Sequence, residues 1–331
     1  MPLSPSFLEI LESGTCSDAW SRIFDELKET FSEEFSGKPE SEVLERDRFA
    51  SSIDLFLSTA GWDLWEEYEE SVTQTSSRLK QWWSEQQAAK AILILDALSL
   101  RELPWLAKGA TDRGYKVNVS VTGAEIPADT NPFAKRMGFG QRSKLENNGA
   151  NSKDFPDARV ETSELPWVDC ASQIQSEPNW IYWHHFPDHR LHDHDKPGSG
   201  LRTLTKEVGE NLTSDDFWIF VEKLTTGRKL VITADHGYAA SELFSDASKE
   251  QTEYLKSHFK SGRSTTDVEG ERQWLPPLDL IISGVHGENR LALGRRKWKS
   301  KGGYPTLTHG GLSVLEVAVP FIEIENGRGS H

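Results

Sequence analysis

The stretch LVITADHG at residues 230–237 consists of a short apolar run, a polar pair and a glycine. Leu230 to Thr233 are apolar or β-branched, which predicts a β-strand that is buried on both faces. Strands of this kind are typical of parallel sheets covered by helices. Asp235 and His236 directly follow the predicted strand, and Gly237 lets the backbone turn tightly. The stretch therefore predicts an α/β fold with polar side chains at one edge of its sheet.

Other short apolar runs alternate with helical segments through the second part of the chain. They are AILILDAL (91–98), KVNVSVTG (116–123), WIYWHHF (180–186), DLIISGV (279–285), RLALG (290–294) and VPFIEI (319–324). Alternating strands and helices predict an α/β sandwich with a largely parallel central sheet. Because ligands of such sheets bind outside the carboxyl ends of the strands, we expect the functional residues there.

The first 88 residues have a different pattern. Three stretches, at 17–35, 43–57 and 65–87, place apolar residues at helical spacing. This pattern indicates an N-terminal helical appendage at 1–88, followed by the α/β domain at 89–325 and a short tail at 326–331. We expect the appendage to pack against the domain and shield it, or to bind a protein partner.

The composition excludes several classes of protein. Apolar residues (36%) and charged residues (27%) occur in the proportions of a globular domain, so a disordered or fibrous chain is not expected. The apolar run from Ala91 to Leu95 is too short to span a membrane, and the N-terminus lacks the pattern of a signal peptide. Cys16 and Cys170 predict no disulfide framework. We expect a cytoplasmic protein that does not bind a membrane.

Two strand ends carry residues that suit metal ions. The carboxylate of Asp235 and the imidazole of His236 lie side by side after a buried strand, a pair that suits zinc or manganese. Asp96 closes the first strand of the α/β domain. There it either binds a ligand or caps the following helix, and both interpretations stay open.

A histidine-rich segment follows a third strand, since five of the ten histidines occur within residues 184–194. If the segment is helical after Pro187, Asp188 and His192 lie one turn apart and can share a metal ion. His309 precedes two glycines, which let the backbone approach a metal ion or a phosphate closely. A lone histidine in such a turn is more often structural, so its assignment depends on the other residues.

The order and spacing of these features resemble the PglZ domain, a branch of the alkaline phosphatase superfamily. The segments that carry the resemblance are LILDAL (93–98), IPADTNPFAKRMGFG (126–140), DHRLH (188–192), VITADHG (231–237) and HGGLSVLEVAVPFI (309–322). They span about residues 89–325 and leave the N-terminal helices uncovered. The resemblance implies an alkaline-phosphatase-like sandwich.

The resemblance also implies two divalent metal ions, zinc first and manganese as the alternative, beside a hydroxyl nucleophile. By position, its ligand sets are Asp96, Asp235 and His236 for one ion, and Asp188, His192 and His309 for the other. Thr130 is the predicted nucleophile, activated by metal coordination, and Ser99 is its rival. The alternatives to Asp188 and His192 are His184, His185, His189 and Asp193.

The chain has a formal net charge of −15, which disfavours non-specific wrapping of nucleic acid. One basic stretch is an exception to this acidic composition. Six cations occur in twelve positions, at Arg290, Arg295, Arg296, Lys297, Lys299 and Lys301. Trp298 lies among them, and a ring beside cations can stack on a base while the cations hold phosphates. We expect a hairpin in which Arg295, Arg296 and Lys297 bind the rest of a phosphodiester. The alternative is a solvated hairpin that balances acidic neighbours.

Together these features predict a metal-dependent phosphodiesterase or nuclease that acts on nucleotides or nucleic acid. The resemblance to PglZ domains adds an implied role in anti-phage defence, by analogy. Two alternatives stay open: a scaffold or binding module that does not turn over, and a phosphomonoesterase that uses the same site.

Overall fold

The computed structural model describes residues 3–85, 88–142, 153–194, 200–241, 247–259, 262–270, 274–284, 287–298 and 306–327. Its α-helices are α1 Pro5–Ser13, α2 Cys16–Ser32, α3 Pro39–Thr59, α4 Tyr68–Ser71, α5 Thr75–Glu85, α6 Leu103–Asp112, α7 Thr130–Arg136, α8 Trp167–Gln173, α9 Asp188–Asp193, α10 Gly200–Leu212, α11 Asp215–Thr225, α12 Lys249–His258 and α13 Val314–Val317. Short 3-10 helices occur at Trp62–Trp65 and Leu100–Glu102. The strands are β1 Lys90–Leu95, β2 Tyr115–Gly123, β3 Arg159–Ser163, β4 Trp180–His184, β5 Lys229–Thr233, β6 Ala239–Ala240, β7 Ser264–Thr265, β8 Asp279–Gly284, β9 Gly287–Ala292, β10 Leu307–Thr308 and β11 Ala318–Asn326.

A six-stranded sheet forms the centre of the molecule, in the order β2-β11-β5-β1-β4-β3. β1 pairs in parallel with β4 and β5, and β3 pairs in parallel with β4. β11 runs antiparallel to both of its neighbours, β2 and β5. The predicted α/β class with a largely parallel central sheet is confirmed. The carboxyl ends of β1 to β5 consequently lie at one edge of this sheet.

The side chains of β1 show how the sandwich is built. Leu93 and Leu95 pack into one apolar cluster, whereas Ile92 and Ile94 pack into another, and all four are fully buried. Successive side chains of a strand point to opposite faces, so the two clusters are the two layers of the sandwich. Each such side chain contributes about 1.5–3 kcal/mol on burial, which explains why this stretch lacks polar residues.

The structure differs from the predicted strands in two places. The runs at 279–285 and 290–294 do not join the central sheet, because β8 and β9 form an antiparallel sheet with β7. β3 was not predicted. It lies at the edge of the central sheet, where only one neighbour pairs with it, and its sequence RVETS is correspondingly polar.

The N-terminal region is helical as predicted, but its described residues form five α-helices and one 3-10 helix in place of three helical stretches. Its buried apolar side chains from Phe7 to Val72 belong to the same cluster as one face of the sheet, whereas Leu79, Trp82 and Trp83 of α5 belong to the cluster of the other face. Tyr68 also donates a hydrogen bond from its hydroxyl to the Ala124 carbonyl at 3.1 Å. Packing is thus continuous across residue 88, and the domain boundary there stays a prediction. Among the described residues, no helix combines the length and the apolar character needed to cross a membrane.

A buried ion cluster joins α3 to the rest of the chain. Asp47 accepts hydrogen bonds from Arg101 Nε at 3.0 Å and from Arg295 Nη1 at 2.7 Å. Arg295 also pairs with Asp54, and both arginines have no exposed surface. Removing one partner of a buried pair typically costs about 3–5 kcal/mol, because it leaves the other charge unpaired. The cluster therefore fixes α3 to the segments that carry Arg101 and Arg295.

Candidate metal centre

Three of the predicted ligands, Asp96, Asp235 and His236, form one compact group at the carboxyl edge of the sheet. One donor atom from each lies within 4.8 Å of the other two, and all three side chains are fully buried. Asp96 follows β1, and Asp235 and His236 follow β5, its parallel neighbour. The fold therefore brings these residues together because the two strands end side by side.

The carboxylate of Asp235 has one occupied and one free oxygen. Oδ1 accepts hydrogen bonds from the backbone amides of Ala97 at 3.0 Å and His236 at 3.1 Å. Oδ2 is buried without a hydrogen-bond partner among the described residues and lies 3.5 Å from His236 Nε2. A buried carboxylate oxygen without a partner is unfavourable unless a ligand satisfies it.

The imidazole of His236 likewise has one atom held by the backbone and one left for a ligand. Its Nδ1 lies 2.9 Å from the Gly237 carbonyl oxygen, so Nδ1 carries the hydrogen and Nε2 keeps its lone pair. Metal-binding histidines commonly use such a bond to fix the tautomer. Burial lowers the pKa of His236, but Asp235, Asp129 and Asp188 outweigh burial, so the pKa is raised overall. The group thus has the negative potential that a cation requires.

The second predicted ligand set, Asp188, His192 and His309, also assembles, again with donor atoms within 4.8 Å of one another. Asp188 and His192 lie one turn apart on α9, as predicted. Asp188 Oδ1 lies 3.5 Å from His192 Nε2 and 3.6 Å from His309 Nε2. Burial would raise the pKa of Asp188, but the charge of His309 and the neighbouring histidines lowers it overall. The side chain of His192 is 56% exposed, so this group is the more open of the two.

Thr130, the predicted nucleophile, begins α7 beside the first group. Its Oγ1 lies 3.4 Å from Asp96 Oδ1 and 3.4 Å from His236 Nε2. The rival Ser99 is fully buried, and its hydroxyl accepts hydrogen bonds from the backbone amide of Arg101 at 3.4 Å and from Arg101 Nη1 at 3.1 Å. Ser99, and not Asp96, is also the residue that caps the following 3-10 helix. The structure therefore places a hydroxyl beside the ligands at Thr130.

The alternative ligands in the histidine-rich segment have other partners. His184 Nδ1 accepts from the Phe186 amide at 3.0 Å, and its Nε2 lies 2.9 Å from the Leu165 carbonyl. Burial lowers the pKa of His184 to about 4, so this ring is a neutral core residue. His189 Nδ1 lies 3.2 Å from the carbonyl oxygen of His185. Asp193 accepts a hydrogen bond from Arg190 at 3.0 Å.

The prediction for the basic stretch needs correction. Arg295 is fully buried and bound to Asp47 and Asp54, so its guanidinium has no access to a substrate. Trp298 is 5% exposed and packs against Phe259, which leaves no face for a base. Arg290 is buried and pairs with Asp279 at 2.6 Å. Arg296 and Lys297 are half-buried, and Lys299 and Lys301 lie outside the described residues.

Two residues at the centre were not predicted. Asp129 lies within 4.8 Å of His236 and His309 through its carboxylate, as part of a third Asp/His group. Arg142 forms an ion pair with Asp96, and its side chain is 26% exposed. The position of Asp129 directly before Thr130 was a usable signal. The sequence around Arg142 contained no such signal, because this residue follows α7 in an irregular segment.

The donor set fits two divalent metal ions. Each predicted group offers oxygen and nitrogen ligands, the combination that zinc and manganese accept. Asp235 Oδ2 and Asp188 Oδ1 are both buried without a hydrogen-bond partner among the described residues, as expected for atoms that await a cation. These Asp/His groups are therefore the candidate metal sites of the chain.

Comparisons with known proteins give a fold-level similarity. No protein-family model and no curated protein matches the sequence. A solved structure of murine ectonucleotide pyrophosphatase/phosphodiesterase 5, inactive and in complex with AMP, is similar with a TM-score of 0.42. A second structure of the same murine protein has a TM-score of 0.40. Each is 10% identical to this chain, and each match covers 72% of this chain and 88% of the murine chain.

Proposed function

We propose that this chain is a metal-dependent phosphodiesterase that acts on nucleotides or nucleic acid through two divalent ions, zinc or manganese. The observation that carries the proposal is the position of Thr130. Its hydroxyl lies 3.4 Å from a ligand oxygen of Asp96 and 3.4 Å from the free nitrogen of His236. Such a hydroxyl beside the metal-binding side chains of the first group suits covalent catalysis of phosphoryl transfer.

Metal ions bound by the two groups would lower the pKa of the hydroxyl and neutralise charge on the attacking and leaving oxygens. Thr130 Oγ1 then forms a bond to phosphorus as the bond from phosphorus to the leaving alkoxide breaks. Water attacks the phosphothreonine in the second step and releases the phosphorylated product, which returns Thr130 to its free form. The short helix α7 fixes the position of Thr130 between the two displacements.

The balance of charge at the centre favours a phosphodiester over a phosphomonoester as the substrate. Four carboxylates belong to the Asp/His groups, at Asp96, Asp129, Asp188 and Asp235. Four negative charges balance two divalent ions, and Arg142, which is ion-paired with Asp96, adds one positive charge. A phosphodiester carries one negative charge, whereas a monoester carries nearly two at neutral pH. A site with one net positive charge matches the diester.

Arg142 replaces Arg295 as the proposed residue that binds the phosphate. A guanidinium offers a planar fork of donors that fits two phosphate oxygens. Its ion pair with Asp96 brings it to the first ligand group. Arg296 and Lys297 stay in the proposal as more distant contacts of the nucleotide.

The resemblance to PglZ domains extends the proposal to anti-phage defence. In that setting the N-terminal helices would bind a protein partner. Both points rest on analogy with the family.

The test is hydrolysis of bis-nitrophenyl phosphate and of mono-nitrophenyl phosphate by protein loaded with zinc or manganese. We expect faster turnover of the diester, loss on chelation, and loss in Asp235→Ala. Thr130→Val keeps the shape of the side chain and removes the hydroxyl, so turnover should fall by about 10³-fold or more, while Thr130→Ser should retain part of it.

Three outcomes would overturn parts of the proposal. Faster turnover of the monoester would indicate a phosphomonoesterase. Full activity of Thr130→Val would exclude Thr130 as the nucleophile. Absence of turnover with both esters, despite bound metal, would indicate a binding module.

A further inference from the structure

The two ring nitrogens of His309 face different carboxylates. Nε2 lies 3.6 Å from Asp188 Oδ1, inside the second ligand group. Nδ1 lies 3.9 Å from Asp129 Oδ2. We propose that Asp129 is a positioning residue that accepts the Nδ1 hydrogen of His309 and so directs Nε2 toward the second metal ion, an inference that rests on the proposed function.

The Nδ1 atom of His309 needs an acceptor. It is buried and has no hydrogen-bond partner among the described residues. When Nε2 of a neutral imidazole binds a metal ion, the hydrogen resides on Nδ1. A buried N–H group without an acceptor is unfavourable, and metal-binding histidines commonly donate this hydrogen to a carboxylate or a carbonyl. His236 already follows this rule through the Gly237 carbonyl at 2.9 Å, and Asp129 is the corresponding group for His309.

Asp129 is able to reach His309. It precedes α7 as the N-cap residue, but its side chain makes no capping hydrogen bond. The side chain is 38% exposed and therefore has room to turn. Gly310 lies close by at φ +96°, and a Cβ atom added there would be 3.9 Å from Asp129 Oδ2. A shift of about 1 Å would bring the carboxylate and Nδ1 to hydrogen-bond distance.

A direct metal-binding role for Asp129 is the competing interpretation, because Asp129, His236 and His309 also form a possible ligand group. The ring orientations favour the positioning role. His236 Nε2 faces Asp96 at 3.7 Å and Asp235 at 3.5 Å, so it is used by the first group. His309 Nε2 is used by the second group. The remaining nitrogen toward Asp129 is Nδ1, which carries the hydrogen.

The consequence is a connection between the nucleophile and the second ligand group. Asp129 and Thr130 are adjacent, so a hydrogen bond from His309 to Asp129 would fix the start of α7 as well as the imidazole. Occupation of the second metal site would then order the residue that attacks phosphorus.

The test is calorimetric titration of the full chain with Zn²⁺, which reports binding apart from activity. We expect two equivalents for the unaltered chain. Asp129→Ala should raise the Kd of the second equivalent by about 10- to 100-fold and leave the first unchanged. Asp129→Asn, which keeps an acceptor oxygen, should have a smaller effect. His309→Ala should remove the second equivalent altogether.

The matched control is Asp193→Asn, the same chemical change on α9, where the carboxylate is bound by Arg190 instead. It should leave both equivalents unchanged. Nitrogen-15 NMR of the histidine rings gives a second measurement, because it distinguishes the tautomers. In the zinc-loaded chain His309 should carry its hydrogen on Nδ1 with slow exchange, and this exchange should become fast in Asp129→Ala.

Two results would overturn the inference. Unchanged zinc binding and unchanged exchange in Asp129→Ala would show that Asp129 does not hold His309. Binding of a third equivalent by the unaltered chain, lost in Asp129→Ala, would show that Asp129 is itself a ligand. Failure of the proposed function is distinguishable from failure of this inference. If the chain binds two zinc ions with the expected dependence on Asp129 but hydrolyses neither nitrophenyl ester, the role of Asp129 stands and the proposed hydrolase activity is wrong.

Discussion

Asp54 Oδ1 accepts a hydrogen bond from the backbone amide of Val314 at 2.7 Å, across 260 positions of the sequence. Asp54 belongs to α3, and Val314 begins α13 shortly after His309. The other oxygen of Asp54 pairs with Arg295. The N-terminal helices therefore help to hold the loop that carries His309, a candidate ligand of the second group, in addition to their packing in the apolar core.

Replacing Asp54 should destabilise the chain and loosen this loop. We expect Asp54→Ala to lower the free energy of unfolding by about 3–5 kcal/mol, because Arg295 would be left buried with half of its partners. Urea unfolding monitored by tryptophan fluorescence measures the loss. Asp25→Ala is the control, since Asp25 forms an exposed pair with Lys28 at 3.5 Å, and it should cost less than about 0.5 kcal/mol. Equal losses in the two variants would contradict a special role for Asp54.

Gly237 is required by the close approach of another backbone. A Cβ atom at this position would lie 2.2 Å from the Leu315 carbonyl oxygen, so Gly237→Ala must displace one of the two segments. We expect a loss of about 2 kcal/mol or more in stability and weaker zinc binding at the first group. Gly140→Ala is the control, because Gly140 has open space around it. Its φ is positive, so this variant should cost about 1 kcal/mol without affecting zinc. Normal zinc affinity in Gly237→Ala would show that the turn tolerates the displacement.

Arg142 should contribute to binding of the phosphate and not to the stability of the fold. We expect Arg142→Gln to lower kcat/KM for bis-nitrophenyl phosphate by about 10²-fold and to weaken inhibition by inorganic phosphate. Arg142→Lys should recover little, because an ammonium group lacks the planar fork of donors. The control is Lys135→Gln, an exposed cation on α7, which should behave as the unaltered chain does. If phosphate inhibits Arg142→Gln as strongly as it inhibits the unaltered chain, the guanidinium does not bind the phosphate.

Two buried glutamates predict a dependence of stability on pH. Burial raises the pKa of Glu102 and of Glu125 from 4.5 to about 7 in each case. The folded chain therefore binds more protons than the unfolded chain between these values, so stability falls as the pH rises from about 4.5 to about 7. Each group contributes up to about 3 kcal/mol to this fall.

Unfolding by urea at several pH values measures this effect. Glu102→Gln keeps an acceptor for the Tyr238 hydroxyl, which donates to Glu102 at 2.8 Å, and removes the titration. The slope of stability against pH should become smaller in Glu102→Gln and in Glu125→Gln, and smaller again in the double variant. A slope that both variants leave unchanged would show that these carboxyl groups titrate normally.

The predicted residues that the structure brings together at the candidate centre each have a local signal. Asp96 and Asp235 end apolar strands, and the topology of a parallel sheet brings such ends together. Asp188 and His192 have helical spacing. The same reasoning failed for Arg295, since its partners, Asp47 and Asp54, are more than 240 positions away. Both belong to α3, whose sequence gives no sign of buried charge. Local sequence shows that a residue is charged, but it does not show which distant residue neutralises it.

The arrangement of β11 has a consequence for synthesis on the ribosome. This strand lies between β2 and β5, inside the sheet, although it is made more than eighty residues after β5. Domains fold as units while the N-terminal part is made first, but here a gap stays open between two earlier strands until residues 318–326 emerge. His309 emerges only shortly before them. The candidate metal centre therefore lacks part of its residues for most of the synthesis. During that period the unpaired edges of β2 and β5 are where chaperones would be needed.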